Sequence, residues 1–316
     1  MSRVIYDGQA IERGDLSVLD CLTEHGINIP SSCHSGLCQT CLSRAASGSI
    51  PARAQTGLKE TQIAQNYFLA CVCYPEHDIE VAMEDGVNKL PALVSGVKHL
   101  SADILGVHLK PQHPFNYRAG QFINFFKDEN TVRSYSLASV PELDDELFLH
   151  VRKVPGGQVS PWMFEHLKPG DQVQITEPAG ECFYVPGKPA QNILLVGTGS
   201  GLAPLYGIIR DALQQGHTGK IVLYHGSTSF GGLYLVDELR TLAQKHENFS
   251  YVPCISESAV PEGYASGMVL DVVLARQADL SGWRVFLCGH PEMVKSGRQE
   301  AFLAGASMSE IFADPF

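Results

Sequence analysis

Ile193-Leu194-Leu195-Val196-Gly197-Thr198-Gly199-Ser200-Gly201-Leu202-Ala203-Pro204 runs from a buried-type apolar segment, through three glycines alternating with small residues, into a stretch of helical spacing. A dinucleotide loop needs this strand–turn–helix junction. The glycines let backbone amides face a pyrophosphate, and the helix N-terminus adds a favourable dipole. Pro204 suits an early helical position, where an N–H is not needed. An ordinary tight turn does not require three glycines. The spacing, G-x-G-x-G, departs from the Rossmann G-x-G-x-x-G. Further along, Lys220–Tyr224 and Arg284–Leu287 are also strand-like, while Ala203–Leu213 and Leu235–Gln244 carry helical spacing. Residues 189–316 therefore predict βαβ units around a parallel sheet.

Upstream, the pattern changes. Gln121–Phe126 and Leu147–Val151 are short β-type runs between turn residues, and Pro186-Gly187-Lys188-Pro189 closes the block. Residues 91–188 predict an antiparallel barrel. Val87-Asn88-Lys89-Leu90-Pro91-Ala92 is the predicted linker to a first block, 1–90, which carries six basic against eleven acidic residues.

The whole chain has 316 residues, 44% hydrophobic and 18% charged, enough for two or three cored domains and too apolar for a disordered protein. No apolar run nears the roughly 18 residues of a membrane span, and the N-terminus carries no secretory signal. A cytoplasmic protein with no membrane association is expected. The net charge of −11 argues against a nucleic-acid partner.

Five of the nine cysteines fall between positions 33 and 73. Cys33, Cys38, Cys41 and Cys71 are spaced C-x4-C-x2-C-x29-C, the plant-type [2Fe–2S] arrangement. Four thiolates must converge on two irons, and the small residues of Cys33-His34-Ser35-Gly36-Leu37-Cys38 let the loop wrap closely and turn amides to the sulfurs. A structural zinc site is the alternative, but it usually pairs two short knuckles. Cys73 is a buried spare, and His34, lacking Rieske spacing, is solvated.

Arg133-Ser134-Tyr135-Ser136 lies within a β-type run. Arg133 can fork onto a phosphate, Tyr135 can offer a ring for a flat ligand to stack on, and Ser136 adds a hydroxyl that can hydrogen-bond to it. Alternation along a strand puts Ser136 on the face opposite Arg133 and Tyr135, so joint contact calls for local distortion. In Gly156-Gly157-Gln158-Val159-Ser160 the glycines permit close backbone approach. Ser160 is expected to cap a helix, Pro161–Leu167, whose N-terminus would hold the pyrophosphate. After the second nucleotide strand, His225-Gly226-Ser227-Thr228-Ser229 brings no cation, apart from His225 itself, before Arg240. A 2′-phosphate needs cations, so NADH is expected.

Leu19–Gly26 leading into Pro30-Ser31-Ser32-Cys33, and Tyr67–Cys71, look like the helix, cluster loop and distal-ligand strand of β-grasp ferredoxins. In its three-block order the whole chain resembles the ferredoxin–FAD–NAD reductases of bacterial multicomponent oxygenases, within the ferredoxin–NADP reductase superfamily. The resemblance implies a multidomain chain: a β-grasp ferredoxin (α+β) over 1–90, an antiparallel β-barrel flavin domain over 91–188 and an α/β parallel-sheet nucleotide domain over 189–316. It implies FAD rather than FMN, held by Arg133, Ser134, Tyr135, Ser136, His150, Val151, Gly156, Gly157, Gln158, Val159 and Ser160. NADH would meet Gly197, Thr198, Gly199, Gly201, Leu202, Pro204 and Gly226. Cys288 and Gly289 of Cys288-Gly289-His290-Pro291-Glu292-Met293 would lie beside the nicotinamide. Phe316 would cover the flavin face, with Phe312 as the fallback, and Asp314 would lie near the flavin's reactive edge. Here the chain lacks the arginine that relatives often carry just after Gly226.

The implied activity passes electrons from NADH to FAD to the [2Fe–2S] cluster, then to a separate oxygenase component, Rieske or di-iron, or an intermediary ferredoxin. Alternatives are a partner of a nucleotide-linked deoxyhexulose dehydratase and a non-catalytic redox sensor or zinc scaffold. Glu76, Asp78, Glu80, Glu84 and Asp85 could steer a basic partner, or simply form a solvated strand end.

Overall fold

A computed structural model describes residues 2–31, 33–82, 89–129, 131–257 and 260–316, and the chain divides into two units, Met1–Gly86 and Val87–Phe316. In the first, β1 (Arg3–Tyr6) and β2 (Gln9–Glu12) form a hairpin closed by Asp7 and Gly8, both at positive φ. Such a two-residue turn follows the natural twist of the strands. Helix α1 (Val18–Glu24) starts at Ser17, whose Oγ accepts the Asp20 N–H, and buries Val18, Leu19, Cys21 and Leu22. After β3 (Leu42–Gly48), α2 (Glu60–Ala64), β4 (Tyr67–Leu69) and β5 (Ile79–Val81), the sheet runs β2-β1-β5-β3-β4, with β1 and β5 parallel. Helix α1 packed on this mixed sheet is the expected α+β fold.

The second unit holds two sheets. Strands β6 (Leu90–His99), β7 (Ile104–Pro111), β8 (Phe122–Phe126), β9 (Val132–Ser136), β10 (Leu147–Arg152) and β11 (Gln172–Ile175) pair antiparallel in the order β10-β7-β6-β11-β8-β9. A single bridge, Leu137 to Leu149, joins the two ends of that order. Val94, Val107, Leu109, Ile123, Phe125, Leu147, Leu149 and Val151 fill the interior. Helix α3 (Ser160–His166) lies between β10 and β11. The linker reading is corrected here: Leu90-Pro91-Ala92 already belongs to β6, pairing with β11 through Leu90↔Ile175. Pro91 is tolerated at this second position of the strand, where a ladder donor is least needed. Val87 and Asn88 of that linker, like Glu84 and Asp85 of the acidic patch, lie outside the described residues.

The second sheet is built from β12 (Ile193–Thr198), α4 (Leu202–Gln214), β13 (Ile221–Ser227), α5 (Val236–Lys245), β14 (Phe249–Ile255), β15 (Ala265–Ser266), α6 (Val269–Arg276), β16 (Arg284–Gly289), α7 (Pro291–Leu303) and β17 (Ile311–Pro315). All its strands are parallel, in the order β15-β14-β13-β12-β16-β17. The all-apolar β12 run is explained by burial on both faces. Arg210 of α4 reaches back to the barrel and forms a two-pronged ion pair with Asp144 at 2.8 and 2.9 Å. Among the described residues no helix is long and apolar enough to cross a membrane.

Candidate functional site

The cluster loop lies between α1 and β3. The Cys33 sulfur accepts the N–H groups of Ser35 (3.5 Å) and Cys38 (3.4 Å), and the Cys38 sulfur accepts the Thr40 hydroxyl at 3.2 Å. The Ser35 hydroxyl and these amides pull the Cys33 thiol down to about 5; the Thr40 hydroxyl lowers Cys38 as well. Cys71 lies just past β4, tied to the loop by Ala70 N–H to Cys41 C=O at 3.1 Å. Burial and the neighbouring Cys41 push its thiol up to about 11. Gly36 has φ +78, and a side chain there would press on Val72. A loop that supplies amides and hydroxyls to its own sulfurs fits a thiolate-ligated cluster. No three ligating side chains among the described residues close at single-ion distance, so the fit rests on the donor set and its hydrogen bonds. His34 is exposed, its Nδ1 4.0 Å from Asp20. Cys73 is fully buried. In the acidic patch, Asp78 is bound by Arg3 and Glu80 by Ser47.

In the second unit, a cavity of about 490 Å³ is lined by Arg133, Ser134, Tyr135 and Ser136, by Gly157, Gln158, Val159 and Ser160, and by His150. Asp314 and Phe316 complete its far side. The distortion expected at Arg133–Ser136 is not found. The β8–β9 register is regular, from Phe122↔Ser136 to Phe126↔Val132. All four residues reach the cavity because β9 is an edge strand, joined to β10 only through the Leu137–Leu149 bridge, so the open seam exposes it from rim to face. Ser160 is a second correction. The helix starts at Ser160, its cap position is Val159 with no side-chain cap bond, and the Ser160 Oγ accepts the Val154 N–H at 3.0 Å. Thus Ser160 closes the Gly156–Gly157 turn instead of capping α3. Val151 points into the barrel core, and Gly156 turns with φ +73.

The glycine-rich turn borders a second cavity, about 680 Å³, lined by Thr198, Gly199, Gly226, Ser227, Thr228, Met268 and Asp271 among others. Gly199 takes φ +56, and a Cβ on Gly201 would overlap the Cys288 carbonyl oxygen. Gly197, Leu202 and Pro204 are buried, Pro204 at the third residue of α4. Cys288 is wholly buried against Cys182, opposite Asp314 in the β16–β17 ladder, and is not among the residues lining either cavity. The C-terminus is tied down: the Phe316 N–H donates to Gly289 C=O at 2.9 Å, leaving its ring half-exposed at the first cavity. Phe312 is excluded as a flavin cover, since it stacks on Phe286 in the core.

Of the residues that join the two cavities, Thr198 is expected from the sequence, whereas Arg152 and His290 are given no role there. Arg152, Thr198 and His290 line both. Arg152 projects from the end of β10 toward Gly199, its Nε 3.7 Å from Asp103. The His290 N–H donates to the Thr198 Oγ1 at 3.1 Å, and its Nδ1 accepts the Glu292 N–H at the start of α7. An arginine at the polar end of an otherwise apolar strand was the available signal for Arg152.

A thiolate-donating loop in the first unit, together with contiguous flavin-type and dinucleotide-type cavities in the second, defines an iron–sulfur flavoprotein oxidoreductase. Three domain families match in the same order: a 2Fe-2S iron-sulfur cluster binding domain over residues 5–76, an oxidoreductase FAD-binding domain over 92–184 and an oxidoreductase NAD-binding domain over 195–299. The chain belongs to the ferredoxin–NAD(P)(+) reductase components of multicomponent oxygenase systems. It is 34% identical over 307 residues, covering 95% of this chain and 93% of the relative, to the reductase component of the naphthalene 1,2-dioxygenase system of Pseudomonas putida. It is 32% identical to the aromatic O-demethylase reductase subunit of an Amycolatopsis species, covering 89% of this chain and 88% of that one. A crystal structure of the Amycolatopsis cytochrome P450 reductase GcoB superposes with a TM-score of 0.70 at 30% identity, covering 100% and 99% of the two chains.

Proposed function

We propose that this chain is the NADH-dependent reductase of a cytoplasmic oxygenase system, with the cluster domain at 1–90, the FAD barrel at 91–188 and the NADH domain at 189–316. The observation that carries the reading is the wall shared by the two cavities, formed by Arg152, Thr198 and His290. Contiguous cavities let one fold hold two ring systems within reach of each other, and proximity is the protein's main contribution to cofactor chemistry. When bound, FAD would supply the conversion from a two-electron nucleotide donor to the one-electron [2Fe–2S] cluster that Cys33, Cys38, Cys41 and Cys71 would hold.

The chain's own residues orient these groups. Arg133, whose Nη1 donates to the Val132 carbonyl, can turn its fork to a flavin phosphate. Tyr135 and Phe316 would offer their rings to the flavin and the Ser136 hydroxyl would serve its reactive edge, with Asp314 lining the same cavity. Backbone amides of Gly157–Ser160 serve the pyrophosphate. Gly197–Gly201, Gly226 and Gly289 admit the nicotinamide dinucleotide. Cys33, Cys38, Cys41 and Cys71 hold the irons. The acceptor is an oxygenase component, Rieske or di-iron, reached directly or through a ferredoxin; dioxygenase and phenol monooxygenase systems employ relatives of this chain. This is preferred over a dehydratase partner or a sensor without turnover.

Anaerobic stopped-flow spectroscopy of the reconstituted protein tests it. NADH should bleach the flavin bands first and the iron–sulfur shoulder next. Ser136→Ala should retain FAD while slowing flavin bleaching roughly tenfold, a loss of about 1.4 kcal/mol in transition-state stabilisation. A colourless or zinc-bearing protein would sink the reading.

A further inference from the structure

His290 is exposed and lines both the flavin-type and the dinucleotide cavity. Its place is fixed by the backbone on either side. The His290 N–H donates to the Thr198 Oγ1 at 3.1 Å, and the Gly289 carbonyl accepts the Phe316 N–H at 2.9 Å. Gly289 itself has φ +121, and a Cβ there would collide with the Thr198 carbonyl oxygen. The imidazole thus rises from a turn held between the glycine loop and the chain terminus. Its ring is fixed as well. Nδ1 accepts the Glu292 N–H at 3.3 Å and so caps α7. A ring nitrogen that accepts has no proton of its own, so the neutral imidazole making this cap carries its N–H on Nε2. Among the described residues nothing accepts that proton, which leaves a fixed donor at the wall between the cavities.

The chemistry of the wall says what this donor meets. On the functional reading above, on which the inference rests, the dihydronicotinamide ring has to come within about 3–3.5 Å of the flavin. The nicotinamide end of the dinucleotide therefore crosses from the dinucleotide cavity into the flavin-type cavity, past the three residues that line both. Arg152, charged and beside Gly199, suits a phosphate oxygen. The Thr198 hydroxyl already accepts the His290 N–H. His290 offers an uncharged donor, and the ring that passes it brings one good acceptor, the oxygen of its carboxamide. We propose that His290 is a further substrate-contacting residue, whose Nε2–H donates to the carboxamide oxygen of NADH as the ring enters the flavin-type cavity. A carboxamide held at that point stops the ring from turning about its glycosidic bond, so the cap of α7 and the presentation of the nicotinamide face depend on one imidazole.

FAD-loaded holoprotein tests this by two readouts: anaerobic stopped-flow reduction by NADH, and calorimetric binding of ADP-ribose, which lacks the nicotinamide. His290→Asn keeps a strong capping side chain but withdraws the donor from the wall. It should lower the ratio of limiting flavin-reduction rate to apparent dissociation constant for NADH by up to about tenfold, the scale of one net hydrogen bond, while ADP-ribose affinity and flavin content stay as in the parent. His290→Gln reaches as far as Nε2 with an amide N–H, gives up the cap, and should recover most of the loss. An unchanged ratio in His290→Asn would overturn the proposal. So would a matching loss of ADP-ribose affinity, which would put the donor on a phosphate or ribose. A parent protein that NADH does not reduce would instead overturn the functional reading beneath it.

Discussion

Two imidazoles, His150 and His225, lie wholly inside the second unit, each bonded through Nδ1 to a tyrosine hydroxyl, and burial holds both near a pKa of about 3. Their ordinary value is 6.5. Below pH 6.5 the unfolded chain takes up two protons that the folded one refuses, so stability falls with falling pH, by up to about 1.4 kcal/mol per pH unit for each ring. Asp211 works oppositely: burial raises it to about 6 from 3.8, so the folded state takes that proton first and gains stability between pH 6 and 3.8. In thermal melts from pH 7 to pH 4.5, His150→Gln should therefore flatten the acid loss relative to the parent. Equal slopes for the two proteins would show that His150 is not held neutral. None of this was legible in the sequence. His150 stood out only through resemblance; its partner Tyr234 comes from 84 residues away, and Arg152 meets His290 at the shared cavity wall only through tertiary folding.

Elements were easier to read where local chemistry and burial agreed. The β12 run, its glycine turn and α4 were predicted to within two residues, because a doubly buried strand must be apolar throughout and a close turn must be glycine-rich. Prediction failed where partners decide. Leu90-Pro91-Ala92 has no strand-like pattern of its own and becomes a strand by pairing with β11. The Arg133–Ser136 alternation could not reveal that β9 ends a sheet at an open seam. Ser160 has the chemistry of a cap, but the Val154 N–H competes for its oxygen. The glycine turn allows a sharp test of element packing. A methyl on Gly201 meets backbone, the Cys288 carbonyl, which cannot swing aside. Gly201→Ala should lose about 1–3 kcal/mol in chemical denaturation and raise the KM for NADH. Gly231→Ala, where an added Cβ meets nothing within 4 Å, is the matched control and should leave both unchanged. Indistinguishable variants would mean that α4 and β16 are free to part.

At the scale of the molecule, the proposed preference for NADH rests on charge. The chain carries a net −11, and the dinucleotide cavity repeats the bias: Asp103, Asp271, Glu292 and Glu300 line it, against one lysine or arginine among the described residues, Arg152, which already faces Asp103. Ser227 and Thr228 stand at the end of β13, where a second strand of this kind of sheet meets the adenosine ribose. Two small hydroxyls suit free ribose oxygens; a 2′-phosphate would bring about two further negative charges into an acidic wall with no fork to receive it. Wild-type kcat/KM should thus favour NADH over NADPH by about tenfold or more. Ser227→Arg supplies the missing guanidinium, and a charge-assisted bond contributes about 1.5–3 kcal/mol, so the variant should raise kcat/KM for NADPH by roughly tenfold or more with flavin content unchanged. The gain should shrink as salt is raised, since an exposed ion pair is screened over roughly 10 Å at 0.1 M. Equal use of both nucleotides by the wild-type protein, or a variant that gains nothing with NADPH at low salt, would place the ribose elsewhere in the cavity and remove the electrostatic argument with it.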